Sequence, residues 1–106
     1  MPGALKNALD YLYAEWNNKA AGFVGYGLHG GTRSVEQLRL ILAEMQVATV
    51  RSQVVLSIFN DFEITDPTQT GTFVPGPHHE PTLVALLGKV VAWPKALAPL
   101  RDPALA

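Results

Sequence analysis

An α/β fold built on a parallel sheet in three layers is predicted, on three observations. Two apolar runs, Ala20–Gly27 and residues 49–59, carry the composition of buried parallel strands. A strongly one-sided helical stretch joins them, and helical periodicity recurs before the first run and after the second. The order helix, strand, helix, strand, loop, helix makes one right-handed βαβ unit with a helix on either side of it in sequence. Two strands leave both outer edges open, so the unit is expected to be part of a larger sheet: a single, partial domain over residues 1–106.

The first helix is expected over residues 2–16. Pro2 suits a helix entry, where its missing N–H needs no partner, and Leu5, Ala8, Leu9, Leu12 and Trp16 recur at helical spacing. Asn17, Asn18 and Lys19 form a polar stop. The first strand, Ala20–Gly27, is continuous and apolar, as a strand covered on both faces requires, and its glycines narrow it enough for a helix or a flat ligand to approach the backbone.

A glycine-rich turn, Gly27-Leu28-His29-Gly30-Gly31-Thr32, precedes Ser34-Val35-Glu36-Gln37, which matches a capping box with Ser34 as N-cap and Gln37 as its partner. The helix of residues 35–45 then sets Val35, Leu38, Leu42 and Met45 on one face. The second strand follows over residues 49–59. Residues 60–79 read as a long loop, rich in Asp, Thr, Pro and Gly. A last helix over residues 81–93 is interrupted at Pro94.

Composition excludes several classes of function. Eight Lys and Arg against nine acidic residues give a net charge of −1, with no footprint for nucleic acid or an anionic membrane. The absence of cysteine removes disulfides, thiolate catalysis and zinc–thiolate sites, and fits a cytoplasmic protein. No apolar run approaches the ~20 residues that span a bilayer. An apolar fraction of 48% favours a doubly covered sheet or an interface with another chain.

The segments PGALKNALDYL, GFVGYGLHGGTRSVEQLR and VRSQVVLSIFNDFE resemble the C-terminal part of the NADPH-dependent FMN reductases, whose fold is flavodoxin-like. The resemblance implies a doubly wound sheet with FMN at the carboxyl ends of its strands. It also implies NADPH or NADH as hydride donor, and no catalytic side chain, since the hydride transfer belongs to the cofactors. Carried over by position, Pro2, Gly3 and Ala4 start the helix beside the flavin ring. Tyr26, Gly27, His29, Gly30 and Gly31 form the loop that approaches the ring from the other side. The family's Ser/Arg-rich phosphate loop and its first three strands have no counterpart in these residues. A chain of this kind is expected to bind FMN weakly or not at all by itself, with little reductase activity, and to act as a homo-oligomer or together with a missing N-terminal half. The alternative is a non-catalytic flavodoxin-like fragment serving as an interaction or dimerisation module.

The remaining polar residues have plainer readings. His78-His79-Glu80 fits no familiar zinc spacing, so no metal is expected, and Glu80 complements a helix dipole. Arg33 and Arg39 belong on a solvated helix face. Ser34, Ser52 and Ser57 lack a nucleophile-elbow context. Asp61-Phe62-Glu63 reads as a polar strand end with one buried Phe, or as part of a lid or interface.

Overall fold

The computed structural model describes residues 1–102. The elements are α1 (Gly3–Asp10), β1 (Ala20–Gly27), α2 (Thr32–Glu44), β2 (Ala48–Ser57), β3 (Phe62–Glu63), β4 (Thr72–Phe73) and α3 (His79–Leu97), closed by a 3₁₀ turn, Ala98–Arg101. β1 and β2 are parallel neighbours, with Val24 opposite Val54 and Tyr26 opposite Leu56. Two cores flank them. On one face Phe23, Val35, Leu42, Met45 and Val47 form a buried cluster joined by Leu9 and Trp16, so α1 and α2 share that face. On the other, Val50 and Val54 meet Leu86 and Val90 of α3. The three-layer α/β arrangement is therefore observed, as a portion of a flavodoxin-like sheet.

The strand pair carries one irregularity. From Ala21 to Phe23 the register advances two positions on β1, while from Thr49 to Gln53 it advances four on β2. The main-chain carbonyls in this bulge are held from one face by Arg39, which donates from Nη1 to Val50 O at 2.9 Å and from Nη2 to Arg51 O at 3.5 Å, and from Nη2 to the Gln53 side-chain Oε1 at 3.2 Å. Its guanidinium also lies 4.7 Å from the centre of the Phe23 ring. From the other face, Lys89 Nζ donates to Ser52 Oγ at 2.7 Å. Arg39 thus belongs to the sheet and not to a solvated face.

Several element boundaries differ from expectation. α1 stops at Asp10 instead of Trp16, because the Leu9 carbonyl is taken by Leu12 N and by the Trp16 indole, Nε1 to O 3.1 Å, and Tyr13 N turns to Glu15 Oε2. α2 begins at Thr32, with Gly31 as N-cap at φ 67° and no side-chain cap; Ser34 already lies inside the first turn, so the capping box does not form. Val35 N donates to Gly31 O at 3.0 Å and starts the helix earlier. The 60–79 loop contains the β3–β4 hairpin, closed by the Phe62 and Phe73 rings at 5.2 Å. α3 starts two residues early and runs through Pro94. Pro81 sits in its first turn, where a missing N–H costs nothing.

Two expectations about burial are also corrected. β1 is not covered on both faces: Phe23 is buried, but Val24 and Tyr26 are exposed, because α3 lies over β2 and the amino half of β1 only. The helical stretch His79–Arg101, 23 residues containing an 18-residue window with a mean hydropathy of 1.5, is long and apolar enough by length and composition to cross a membrane. Isolated lysines break it into short runs in the sequence, yet the average stays high. In this structure its Leu86 side packs on the sheet, while Val84, Leu87 and Val91 are exposed. The Cα radius of gyration is 16.5 Å, against ~13 Å for a compact chain of this length. Apolar surface and an uncharged outer edge of β1 thus remain uncovered.

Candidate functional site

Parallel strands joined by helical crossovers place every strand-to-helix turn on one edge of the sheet, the carboxyl edge. Gly27 to Gly31 form that turn after β1. Gly27 O accepts from Gly30 N at 3.3 Å and from Ile58 N at 3.1 Å, which ties the turn to the end of β2. Gly27, Gly30 and Gly31 all have positive φ, at 144°, 67° and 67°. At Gly30 the requirement is steric as well, since a Cβ there would lie 1.9 Å from Val55 Cγ1. A Cβ on Gly25 would lie 2.4 Å from the Gly30 carbonyl oxygen. The turn is packed down onto the sheet, so the close approach at Gly25 is made by the protein's own backbone, and at Gly22 by Leu86.

α1 lies beside α2. The Tyr13 hydroxyl, just past α1, donates to Glu44 O at the far end of α2, and the Met1 ammonium, just before α1, donates to Gln37 Oε1 at 3.2 Å. α1 therefore runs alongside α2 in the same direction, with its start beside Gln37, near the middle of α2. Gly3 has no atom within 4 Å of the position a Cβ would take, so its backbone is open to approach. His29 and Tyr26 are exposed, Tyr26 to 76%. Gly30 is buried and serves packing. The sequence-predicted residues thus form two groups, the turn from Tyr26 to Gly31 at the end of β1 and the start of α1 beside Gln37 of α2.

The polar cluster with the most specific geometry lies next to the carboxyl edge and was not anticipated. Asp61, 1% exposed, accepts from Ser57 N at 2.8 Å, from Gly76 N at 3.0 Å and from His79 Nε2 at 2.7 Å. An ionised carboxylate has no proton to give, so Nε2 carries it. The Gly76 amide first, then the Ser57 amide and to a lesser degree His79, hold the Asp61 carboxyl below its ordinary range, against burial, which pushes it up. The expected buried Phe is replaced by this buried Asp, while Phe62 is only half-buried. His78 stacks on His79 with ring centres 3.9 Å apart, Glu80 occupies the first turn of α3, and no metal-binding group of three or more residues occurs among the described residues. In the sequence the only trace of the pair was an Asp at a strand end and a His at a helix start, across a Gly/Pro-rich segment.

Residues 1–61, covering α1, β1, the glycine turn, α2 and β2, match the family of NADPH-dependent FMN reductases. The chain belongs to that family. Among curated proteins, an NAD(P)H-dependent FMN reductase of Saccharomyces cerevisiae is 45% identical over 49 residues, 46% of this chain and 26% of the relative. One of Schizosaccharomyces pombe is 38% identical over 60 residues, 57% of this chain and 30% of the relative. One of a Nectria species is 50% identical over 36 residues, 34% of this chain and 18% of the relative. The chain thus spans less than a third of the curated relatives it matches. No solved structure matches it. All the site residues taken from the resemblance fall inside the stretch matched to the FMN reductases.

Proposed function

We propose that this chain supplies the ring-side elements of the FMN site of an NAD(P)H-dependent FMN reductase. What supports this reading is that the open Gly3 end of α1 and the Gly27 to Gly31 turn both fall within the family-matched stretch, and that α1 lies alongside α2, the helix that leaves the turn. Bound FMN would supply the redox chemistry, taking a hydride from NAD(P)H and passing it to an acceptor. The chain's own part is positional. The first-turn N–H groups of α1 offer the positive end of a helix to an electron-rich ligand, and Gly3 keeps side-chain bulk away from it. Tyr26 and His29 stand exposed beside the turn, available for stacking and hydrogen bonding.

The uncovered outer edge of β1 and the apolar outer side of α3 support a partner polypeptide, either a second copy or the remainder of a family domain. The absence of cysteine supports a cytoplasmic location.

Titration of the ¹⁵N-labelled chain with FMN, and in parallel with lumiflavin, the same ring without a phosphate, tests the reading. Weak binding of both with similar affinity is expected, with amide shifts confined to Gly3, Ala4 and the turn from Tyr26 to Gly31. Two missing charge-assisted bonds to a phosphate correspond to roughly 10²-fold to 10⁴-fold weaker binding than an anchored site would give. Shifts centred elsewhere, or none at millimolar flavin, overturn the assignment. Sub-micromolar binding of FMN alone would reveal a phosphate anchor in this chain.

A further inference from the structure

The segment between β2 and α3 has little to hold it. Residues 63–70 are exposed throughout, and its regular structure is a hairpin of two residue pairs, Phe62 with Phe73 and Glu63 with Thr72. Yet both of its ends meet at a single buried residue. The Asp61 carboxylate binds Ser57 N on the β2 side, and Gly76 N and His79 Nε2 on the α3 side. The Asp61 main-chain carbonyl accepts from Val74 N at 2.8 Å, and His79 N closes back onto Gly76 O at 3.2 Å. Ser57 is in turn the β2 partner of Gly27, and the next residue, Ile58, donates to Gly27 O. A small cavity of about 330 Å³ separates the root of the segment from the glycine turn, lined by Leu28, Ile58, Phe59, Phe62 and Ile64.

We propose that Asp61 and His79 form a latch that holds residues 62–78 as one strap across the end of the sheet and ties the strap's opening to the glycine turn at the carboxyl edge. The device stands on this chain's own contacts and does not depend on flavin binding. Removing the carboxylate takes the acceptor from the Ser57 and Gly76 amides and the partner from His79 at once, leaving the Val74 bond to the Asp61 main-chain carbonyl and the two-pair hairpin as the remaining ties between the two ends of the strap. The disturbance passes through Ser57 and Ile58 to Gly27, and not to the opposite edge, where Val47 and Ala48 donate to Leu42 O and Lys19 O.

Amide hydrogen exchange on the intact chain provides the test. In the unaltered protein, Ser57, Val74 and Gly76 should exchange with a common opening constant and a common denaturant dependence, larger than the opening at Ala48. In Asp61→Asn, which loses the charge and one of the two acceptor oxygens, protection at Ser57 and Gly76 should fall roughly tenfold to a hundredfold, the range for losing a hydrogen bond to a charged group, with a smaller loss at Val74, whose main-chain acceptor remains, and at Gly30 and Ile58. His79→Gln, whose side-chain N–H can still donate, should retain most of the protection. Thermolysin should cut Asp61→Asn within residues 64–74 faster than the unaltered chain. Separate opening constants at Ser57 and Gly76 in the unaltered protein overturn the latch. Loss of protection in Asp61→Asn that extends equally to Val47 and Ala48 overturns it as a local device. If that variant does not fold, the exchange pattern of the unaltered chain decides the matter.

Discussion

Alanine at Gly30 would place a methyl group 1.9 Å from Val55 Cγ1, in a backbone conformation of φ 67°. Two costs follow from different physics. The left-handed conformation costs an L-residue about 1–2 kcal/mol. The overlap is far inside the 3.5–4.0 Å of favourable carbon contact, and forcing a packed site to accept a methyl costs about 1–3 kcal/mol. Gly30 is buried between the turn and the sheet, so relief requires the turn to lift from β2. The total, about 2–5 kcal/mol, is a large share of the ~5–15 kcal/mol that stabilises a whole domain. Urea denaturation followed by Trp16 and Trp93 fluorescence measures it. The partner substitution Val55→Ala removes the clashing Cγ1 and leaves the backbone cost, so Gly30→Ala combined with Val55→Ala should be less destabilised than the two single changes summed. A Gly30→Ala cost below about 0.5 kcal/mol, or strict additivity of the pair, would refute the packing account of this turn.

At Gly88, nothing lies within 4 Å of a built Cβ and the residue is in the middle of α3, so Gly88→Ala should stabilise the chain by about 0.5–1 kcal/mol in the same denaturation assay. Arg39→Met keeps the aliphatic stem but strips the bulge carbonyls of their donors, and should cost about 1–3 kcal/mol; Arg39→Lys should recover only part of this, since one ammonium cannot reach Val50 O and Gln53 Oε1 as the planar fork does. Asp61 and Asp66 both have carboxyls held below the ordinary value of 3.8, so their contribution to stability is complete above that value and lost as pH falls below it. An acid titration of the chain should show this loss, and Asp61→Asn should flatten it.

The sequence readily disclosed what repeats along the chain and obscured what depends on single contacts across it. β1 was legible to the residue, because a run of small and apolar residues bounded by Lys19 and a glycine turn fits little else. The helical face of Val35, Leu42 and Met45 was legible through its period. The end of α1 was not, since it is decided by the Trp16 indole reaching back to the Leu9 carbonyl, a bond between a side chain and a distant main-chain atom. The entry to α2 was misplaced because a capping box is a local pattern, whereas the helix starts where Gly31 turns down against β1. Of the candidate site, the glycine turn at the carboxyl end of β1 followed from chain order. The Asp61–His79 pair did not, because eighteen residues separate its members and neither belongs to a motif. Arg39 was misread for a related reason: on a helical wheel it lies off the apolar stripe, but the bulge beneath it supplies carbonyls that a regular strand would have paired.

That bulge has a bearing on how the chain can change in length. β2 gains two positions over β1 between Ala21 and Phe23, and because side chains alternate from face to face, a gain of two leaves every later residue on its proper side. Val50, Ser52, Val54 and Leu56 all continue to face α3. Deleting both extra residues would shorten the strand yet preserve that order, whereas deleting one would carry Val54 and Leu56 to the α2 side and bring Gln53 and Val55 under α3. Length variation at residues 50–52 is therefore tolerable in steps of two and ruinous in steps of one, an even-numbered rule that engineered insertions or comparison of related sequences can read directly.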